Sequence, residues 1–147
     1  MLVMLEPRQV GDYWELIKEA LYHSGVPTMG PESEAYPNVL ANLLNGDLAA
    51  FLYGKYDQGV MQSVEMVVVA GIITDSFSLT KNLIIYALWS IHGNDKWDWL
   101  DGLNTLKKFA RAHNCINIFG YSNNPKMISM AQVLGFDSSQ TLLRMEV

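Results

Sequence analysis

Three ionisable side chains stand where apolar segments of this sequence meet polar residues, a setting that suits proton transfer. Glu65 is the only acid within the run VEMVVVAGIIT, Asp75 follows that run, and His92 follows the run LIIYALWSI. A histidine titrates near neutral pH, and a carboxylate can act as a base when its surroundings adjust its pKa. These three residues are therefore candidate bases, although solvated loops and strand edges carry the same residue types.

A second candidate is the stretch GNDKWDWLDG, residues 93–102, where a strand gives way to a helix. The amino end of a helix has unpaired N–H groups that attract anions, so this position favours a phosphate site. Its three aspartates can cap the helix themselves, however, and Trp97 and Trp99 are bulky. Three interpretations follow: a capped helix whose tryptophans anchor it to the core, a modified cofactor loop, or an exposed aromatic patch for a protein partner.

The composition argues against several other classes of protein. The chain has 147 residues, a net charge of -5 and 50% hydrophobic residues, which indicates one domain and no nucleic-acid partner. Its three histidines lack metal-ligand spacing, its single Cys115 forms no internal disulfide, and no nucleotide-binding glycine motif is present. We expect a cytoplasmic protein without a signal peptide or membrane segment.

The hydrophobic pattern predicts the elements that position these residues. After a short apolar start at 2–5, we expect a helix at Val10–Tyr22 and a short helix opened by Pro37. Three strands should follow, LAAFLYG, VEMVVVAGIIT and LIIYALWSI. The rest of the chain should form a helix at Trp97–His113, a buried strand CINIFGY, a helix NPKMISMAQVL and a final strand SQTLLRMEV.

The connections between these elements predict the sheet. The three strands from LAAFLYG to LIIYALWSI should form an antiparallel meander. A helix separates LIIYALWSI from CINIFGY, which indicates a right-handed crossover and a parallel pair. The predicted fold is a single α/β (α+β) domain with a mixed sheet and helices on both faces.

This order resembles the GCN5-related N-acetyltransferase superfamily, the GNAT fold, over nearly the whole chain. The segment GIITDSFSLTKNLIIYALWSI is similar to the family's core hairpin, and Ala110 lies where members carry an alanine late in the central helix. The most specific match, to the family pattern N-P-x-x-I followed by L-G-F, consists of Asn124, Pro125, Ile128, Leu134, Gly135 and Phe136.

The resemblance implies acetyl-CoA as the cofactor. Its binding residues would be the end of the fourth strand, Leu88, Trp89, Ser90 and Ile91, the loop residues Asn94, Trp97 and Trp99, and Asn124. Family members bind the pyrophosphate through the backbone of a loop Q/R-x-x-G-x-G/A. With Ala110 setting the register, both glycines of that loop are tryptophan in this sequence.

The resemblance also implies direct attack of an amine on the thioester, assisted by a base and often by a proton donor for the leaving thiolate. Glu65 and His92 are the base candidates. The family's usual donor, a tyrosine five residues before the Phe of L-G-F, is Ala131 here. Tyr121 or Tyr86 would then have to donate the proton.

Two functions remain. The first is an acyl-CoA-dependent N-acetyltransferase for a small-molecule or peptide amine. The alternative is a catalytically degenerate GNAT-like domain that serves as a structural or protein-interaction module, as in some phage-encoded proteins. The apolar segment LLRMEV could pair between subunits of a homodimer. Neither nucleic acid nor membrane is an expected partner.

Overall fold

A computed structural model describes all 147 residues of the chain. Its elements, in order, are β1 (Leu2–Met4), a 3-10 turn (Pro7–Gln9), α1 (Val10–Ser24), α2 (Glu32–Asn45), β2 (Leu48–Asp57), β3 (Val60–Thr74), β4 (Lys81–Ser90), α3 (Lys96–Ala112), β5 (Cys115–Gly120) and α4 (Pro125–Val133). The predicted order is confirmed up to α4.

The five strands form one mixed sheet in the order β1-β2-β3-β4-β5. Neighbouring strands from β1 to β4 are antiparallel, and β4 pairs with β5 in parallel. The crossover through α3 accounts for the parallel pair. The mixed α+β sheet predicted from the sequence is therefore confirmed.

Helices cover both faces of this sheet, as predicted. The side chains buried beneath α1 and α2 include Val10, Ile17, Leu21, Leu43, Leu52, Val67 and Val69. Those buried beneath α3 include Phe51, Met66, Val68, Leu83, Leu106 and Ala110. Successive residues of β2 and β3 enter opposite clusters because side chains alternate across a strand. The two clusters hold β4 between α1 and α3.

The second helix begins earlier than predicted. It starts at Glu32 and contains Pro37 in its interior, whereas the sequence had suggested Pro37 as its first residue. Two acids in the first turn, Glu32 and Glu34, stabilise the amino end through the helix dipole. This stabilisation offsets the backbone hydrogen bond that the proline cannot donate.

The prediction of a final strand at SQTLLRMEV is wrong. Residues 141–147 have no regular structure and are exposed, because no strand supplies partners for their backbone groups. One contact is the Arg144 guanidinium, which donates to the Pro27 carbonyl at 3.2 Å. β5 is consequently the edge of the sheet, with one side of its backbone unpaired.

The prediction that CINIFGY is a buried strand is also wrong. Ile116 is 64% exposed and Phe119 is 48% exposed. Cys115 and Ile118 pack on the cluster beneath α3, whereas α1 and α2 contact β2, β3 and β4. The remaining side chains of β5 therefore face solvent.

None of the helices is both long and apolar enough to cross a membrane.

Candidate functional site

Strand β5 ends before the neighbouring part of β4 does. Their pairing ends at Ile85 and Gly120, while β4 continues to Ser90. Tyr86 is an extra residue in β4 relative to β3, a β-bulge that bends the strand at the point where its pairing with β5 ends. Beyond the bulge, one edge of β4, at residues 86–90, therefore has no neighbouring strand. We call this opening the β4 cleft.

Ser24, the last residue of α1, occupies the free edge of β4. The Leu88 N–H donates to Ser24 Oγ at 3.0 Å, and Ser24 Oγ donates to the Leu88 carbonyl at 3.2 Å. One hydroxyl thus satisfies both backbone groups that a neighbouring strand would have bonded. In this structure the Leu88 amide is engaged by a side chain that lies 64 residues away in sequence.

His23 lies beside this contact. Its imidazole stacks on the indole of Trp89, with ring centroids 4.7 Å apart and an interplanar angle of 14°. Its Nε2 lies 3.3 Å from a carboxylate oxygen of Glu19, one turn earlier in α1. An imidazole and a carboxylate are therefore held at the end of β4.

The amino end of α3 is closed by its own side chains. Asp95 caps the helix, since its carboxylate accepts from the Asp98 N–H at 2.9 Å. Trp99 packs on the cluster beneath α3 and its Nε1 donates to the Asn94 carbonyl at 3.2 Å. Trp97, by contrast, is 75% exposed. The interpretation that the tryptophans anchor the turn is therefore right for Trp99 and wrong for Trp97.

A chain of polar side chains links the end of β4 to the first turn of α3. Ser90 Oγ donates to Asn94 Oδ1, and Asn94 Nδ2 donates to Asp98 at 3.3 Å. The Tyr53 hydroxyl donates to the same carboxylate at 3.0 Å. Burial, together with the Asp98 carboxylate, strongly raises the pKa of Tyr53. Ser90 and Asn94, both expected at a cofactor site, therefore belong to a structural network.

Several backbone donors nevertheless remain free at this end of the helix. The N–H groups of residues 92–97 have no acceptor within the protein. The adjoining surface is an open cleft of about 430 Å³ lined by Lys96, Pro125, Lys126, Ser129, Met130 and Val133. Two lysines thus face a groove beside free amides, in a chain that is acidic overall.

The NP residues begin α4, and the LGF residues end it and direct the chain back to the sheet. Asn124 caps α4, since its side chain accepts from the Lys126 N–H at 3.0 Å. Leu134 and Phe136 line an apolar cavity of about 50 Å³ together with Leu88 and Trp99. The motif therefore packs α4 beside the β4 cleft.

The three base candidates lie in different surroundings. Glu65 is half-buried in β3, and its carbonyl accepts from the Ile91 N–H at 2.9 Å, so it lies beside the end of β4. His92 is exposed in the following loop. Asp75 accepts from the side chain and backbone of Ser78, which lowers the pKa of its carboxyl and identifies it as a turn residue. Only Glu65 and His92 lie beside the cleft.

Two tyrosines flank the mouth of the β4 cleft. Tyr86 forms the bulge of β4, and Tyr121 follows the last residue of β5. Burial raises the pKa of Tyr86, and the nearby Tyr121 phenol raises it further. Ala131, where the family tyrosine would lie, offers no proton donor. Both phenols predicted as substitutes are therefore at the cleft.

No group of three or more His, Cys, Asp or Glu side chains is arranged to hold a metal ion. Cys115 is half-buried, and burial raises the pKa of its thiol.

The sequence reasoning missed His23, Ser24 and Lys126. His23 and Ser24 end an amphipathic helix with no motif, and their contact with β4 depends on tertiary packing. Lys126 had a usable signal, since it follows the NP pair at the start of a helix near the expected cofactor.

At the level of sequence, no family model and no curated protein matches this chain. Solved structures do match. A probable acetyltransferase superposes with a TM-score of 0.73 at 11% identity, covering 100% of this chain and 96% of that one. A predicted acetyltransferase with acetyl-CoA from Clostridium acetobutylicum gives 0.70 at 13% identity, covering 99% and 95% of the two chains.

A third similar structure is an aminoglycoside acetyltransferase from an uncultured soil metagenomic sample, in complex with sisomicin. Its TM-score is 0.72 at 9% identity, and the match covers 100% of this chain and 94% of that one. At such identities the agreement concerns the fold, and it extends over the whole length of the chain. The protein described here has the fold of the GCN5-related N-acetyltransferases.

Proposed function

We propose that the chain is an acetyl-CoA-dependent N-acyltransferase that acts on an amine. The observation that carries this proposal is the edge of β4 at Leu88, which has no neighbouring strand because β5 ends at Gly120. When bound, acetyl-CoA supplies an acyl thioester, whose carbonyl becomes electrophilic when a fixed N–H donates to it. Leu88 provides such a donor at the end of a rigid strand, provided that Ser24 releases it.

The residues at the amino end of α3 fit a phosphate-bearing cofactor despite the missing glycines. Free N–H groups at residues 92–97 attract anions regardless of side-chain identity. Lys96 and Lys126 add positive charge in the adjoining cleft, and Ser129 adds a hydroxyl. The Asn124 amide nitrogen is available there as a further donor. In this proposal these groups replace the glycine loop of the family.

The remaining candidates take roles from their positions. Tyr121 is the proposed donor for the leaving thiolate, since it lies at the mouth of the β4 cleft beside Tyr86. Glu65 and His92 remain base candidates beside the end of β4. Trp89 and Ile91 contribute backbone groups at that end. The proposed acceptor is a small-molecule amine, supported by the sisomicin complex of one similar structure, and a peptide amine is the alternative.

A second function, a binding module without catalysis, is favoured by the carboxylates of α3. Asp95 and Asp98 repel a pyrophosphate, and Asp95 already accepts one of the amides. Ser24 occupies the Leu88 edge, and Ala131 replaces the usual donor. Exposed Trp97 would then belong to a surface for a protein partner.

Calorimetric titration with acetyl-CoA separates the two functions. The enzyme requires binding in the micromolar range, followed by release of CoA when an amine is added. Lys126→Gln should weaken binding about fivefold, because one exposed charge contributes about 1 kcal/mol. The matched control is Lys108→Gln, on the exposed face of α3 and outside the cleft, which should bind like the wild type. Absence of binding at millimolar acetyl-CoA would contradict the enzyme and favour the module.

A homodimer through the carboxyl-terminal segment is part of the proposal. The free edge of β5 offers unpaired backbone groups beside exposed Ile116 and Phe119, and Leu143 and Met145 are exposed in the segment. Light scattering should give twice the mass of one chain for the wild type. Removal of residues 140–147 should give a folded monomer, and an unchanged mass after this truncation would contradict pairing through the segment.

A further inference from the structure

We propose that His23 is the general base of the transfer reaction, oriented by Glu19 and by Trp89. This inference rests on the proposed N-acyltransferase function and names a residue for one of its steps. His92 and Glu65, the candidates from the sequence, lie beside the end of β4. Neither side chain makes a hydrogen bond that would orient it as a base.

The position of His23 is fixed from three directions. Its imidazole stacks on Trp89 of β4, its Nε2 faces Glu19 at 3.3 Å, and Tyr22 packs edge-on with ring centroids 5.4 Å apart. The next residue, Ser24, holds the Leu88 peptide. The imidazole therefore belongs to the residue next to Ser24, whose hydroxyl contacts the Leu88 amide. That amide is the one that would polarise the thioester.

The contacts of the ring leave one nitrogen available for catalysis. A carboxylate at Nε2 favours the tautomer that carries hydrogen there, so the lone pair is on Nδ1. No protein atom bonds to Nδ1 of His23. A base oriented by a carboxylate, with its other nitrogen free, is the arrangement that activates nucleophiles in many enzymes.

The proton and electron balance is simple. Nδ1 takes one proton from the acceptor ammonium, and the nitrogen lone pair forms the C–N bond with the acyl carbon. The C–S bond breaks, and its electron pair leaves on the thiolate, which takes a proton from Tyr121 or water. His23 then releases the first proton to solvent, and the second amine proton, lost as the C–S bond breaks, replaces through solvent the proton that Tyr121 or water gave to the thiolate.

The surroundings of His23 suit a positively charged acceptor. Burial is the main cause that raises the pKa of the Tyr36 phenol, and the nearby carboxylates of Glu32 and Glu19 raise it further. The Tyr36 hydroxyl oxygen is buried and has no hydrogen-bond partner of good geometry. Two carboxylates thus lie near Tyr36, between α1 and α2, where they can attract an ammonium group.

The test compares two acceptors in wild type and His23→Gln. Spermidine is protonated at neutral pH and needs a base, whereas hydroxylamine is largely uncharged and does not. His23→Gln should lower kcat for spermidine about 100-fold, with little change in KM. After the uncatalysed reaction is subtracted, its rate with hydroxylamine should stay within about twofold of the wild-type rate. The lost spermidine rate should return as the pH rises. Glu19→Gln should give a smaller loss of the same kind.

Two further readouts separate a catalytic role from a structural one. Acetyl-CoA should bind His23→Gln with the wild-type affinity. The tryptophan fluorescence of the wild type and of the variant should respond differently to pH, because the variant lacks the imidazole that stacks on Trp89. The pH dependence also contains contributions from the titratable groups around His23, namely Glu19, Glu32, Tyr22 and Tyr36. The matched control is therefore His113→Gln, which changes a histidine at the far end of α3 and leaves these groups in place.

The outcomes are distinct. If the wild type binds acetyl-CoA and acetylates spermidine, and His23→Gln does so equally well with the same pH profile, the role of His23 is overturned and the proposed function stands. If the wild type binds acetyl-CoA but acetylates neither acceptor, the proposed function fails and the role of His23 fails with it.

Discussion

The two ends of the candidate site differ in what occupies their hydrogen-bond donors. At the end of β4, the Leu88 amide is held by a neutral serine hydroxyl from another helix. At the start of α3, the Asp98 amide is held by the carboxylate of Asp95, and Trp99 secures the turn. A hydroxyl can be replaced by a ligand carbonyl at little electrostatic cost, whereas a carboxylate competes directly with phosphate. Under the proposed function, the end of β4, which would hold the acyl group, is therefore easier for a ligand to enter than the start of α3, which would hold the phosphates.

The largest expected effect tests whether the two tryptophans differ as the structure indicates. Trp99→Ala should lower the free energy of unfolding by about 3 kcal/mol, because it removes a packed indole and leaves a cavity. Trp97→Ala should change it by less than about 0.5 kcal/mol, since the side chain is exposed. Urea unfolding of both variants measures the difference, and equal losses would mean that both residues anchor the helix start.

Ser24→Ala tests the acyl end. Loss of the hydroxyl leaves two backbone groups of Leu88 without partners and should lower stability by about 1 to 3 kcal/mol. Acetyl-CoA should then restore more stability to this variant than to the wild type, because the ligand meets no competing side chain. Thermal unfolding with and without acetyl-CoA gives the comparison, with exposed Ser33→Ala as the control. An equal ligand-induced shift in both proteins would show that the ligand does not use the Leu88 edge.

Asp95 tests the phosphate end. Asp95→Ala should cost about 1 kcal/mol of stability, because the helix loses its cap. Asp95→Asn keeps the cap but removes the charge, so it should preserve stability and tighten acetyl-CoA binding about two- to fivefold. Calorimetry in low salt measures both. Weaker binding by the Asn variant would mean that the carboxylate takes part in binding rather than opposing it.

The smallest effect concerns the network between the two ends. Because the pKa of Tyr53 is raised in the folded protein, the neutral phenol is favoured there, and its contribution to stability is complete below the pKa of an unfolded tyrosine. Stability should fall as the pH rises above about 10, where tyrosines of the unfolded chain ionise. Tyr53→Phe should reduce this fall, as measured by denaturant unfolding at pH 9 and pH 11. An unchanged pH dependence in the variant would assign the fall to other groups.

Local patterns in the sequence predicted the order of elements up to α4 and the mixed sheet. The strands β2, β3 and β4 are long and apolar, and α3 has one apolar face, so their periodicity indicates their structure directly. The prediction of a final strand failed because strand formation depends on pairing as well as on pattern. The segment TLLRMEV has the alternation of a strand but pairs with no other strand.

The side-chain contacts of the candidate site were less predictable than the fold. Capping of α3 by its aspartates was predictable, because the amide that Asp95 caps lies only three residues away. Ser24 and Leu88 are 64 residues apart, and only the packing of α1 on β4 brings them together. His23 became a candidate for the same reason. Such contacts leave no local signature, since neither residue is unusual at the end of an amphipathic helix.

The hydroxyl of Ser24 has a kinetic consequence. Because Ser24 is part of the same chain, its hydroxyl competes for the Leu88 amide at a constant effective concentration. It therefore reduces the apparent affinity of any ligand that needs this amide. A donor that takes the Leu88 amide must displace the Ser24 hydroxyl, and residues 25–31, which follow Ser24, then lose one of their anchors. Those residues lie on the side of the sheet where His23 and Glu19 would meet an acceptor. Entry of the donor would thus loosen the acceptor side, and a compulsory order of binding could arise from the exchange of one hydroxyl.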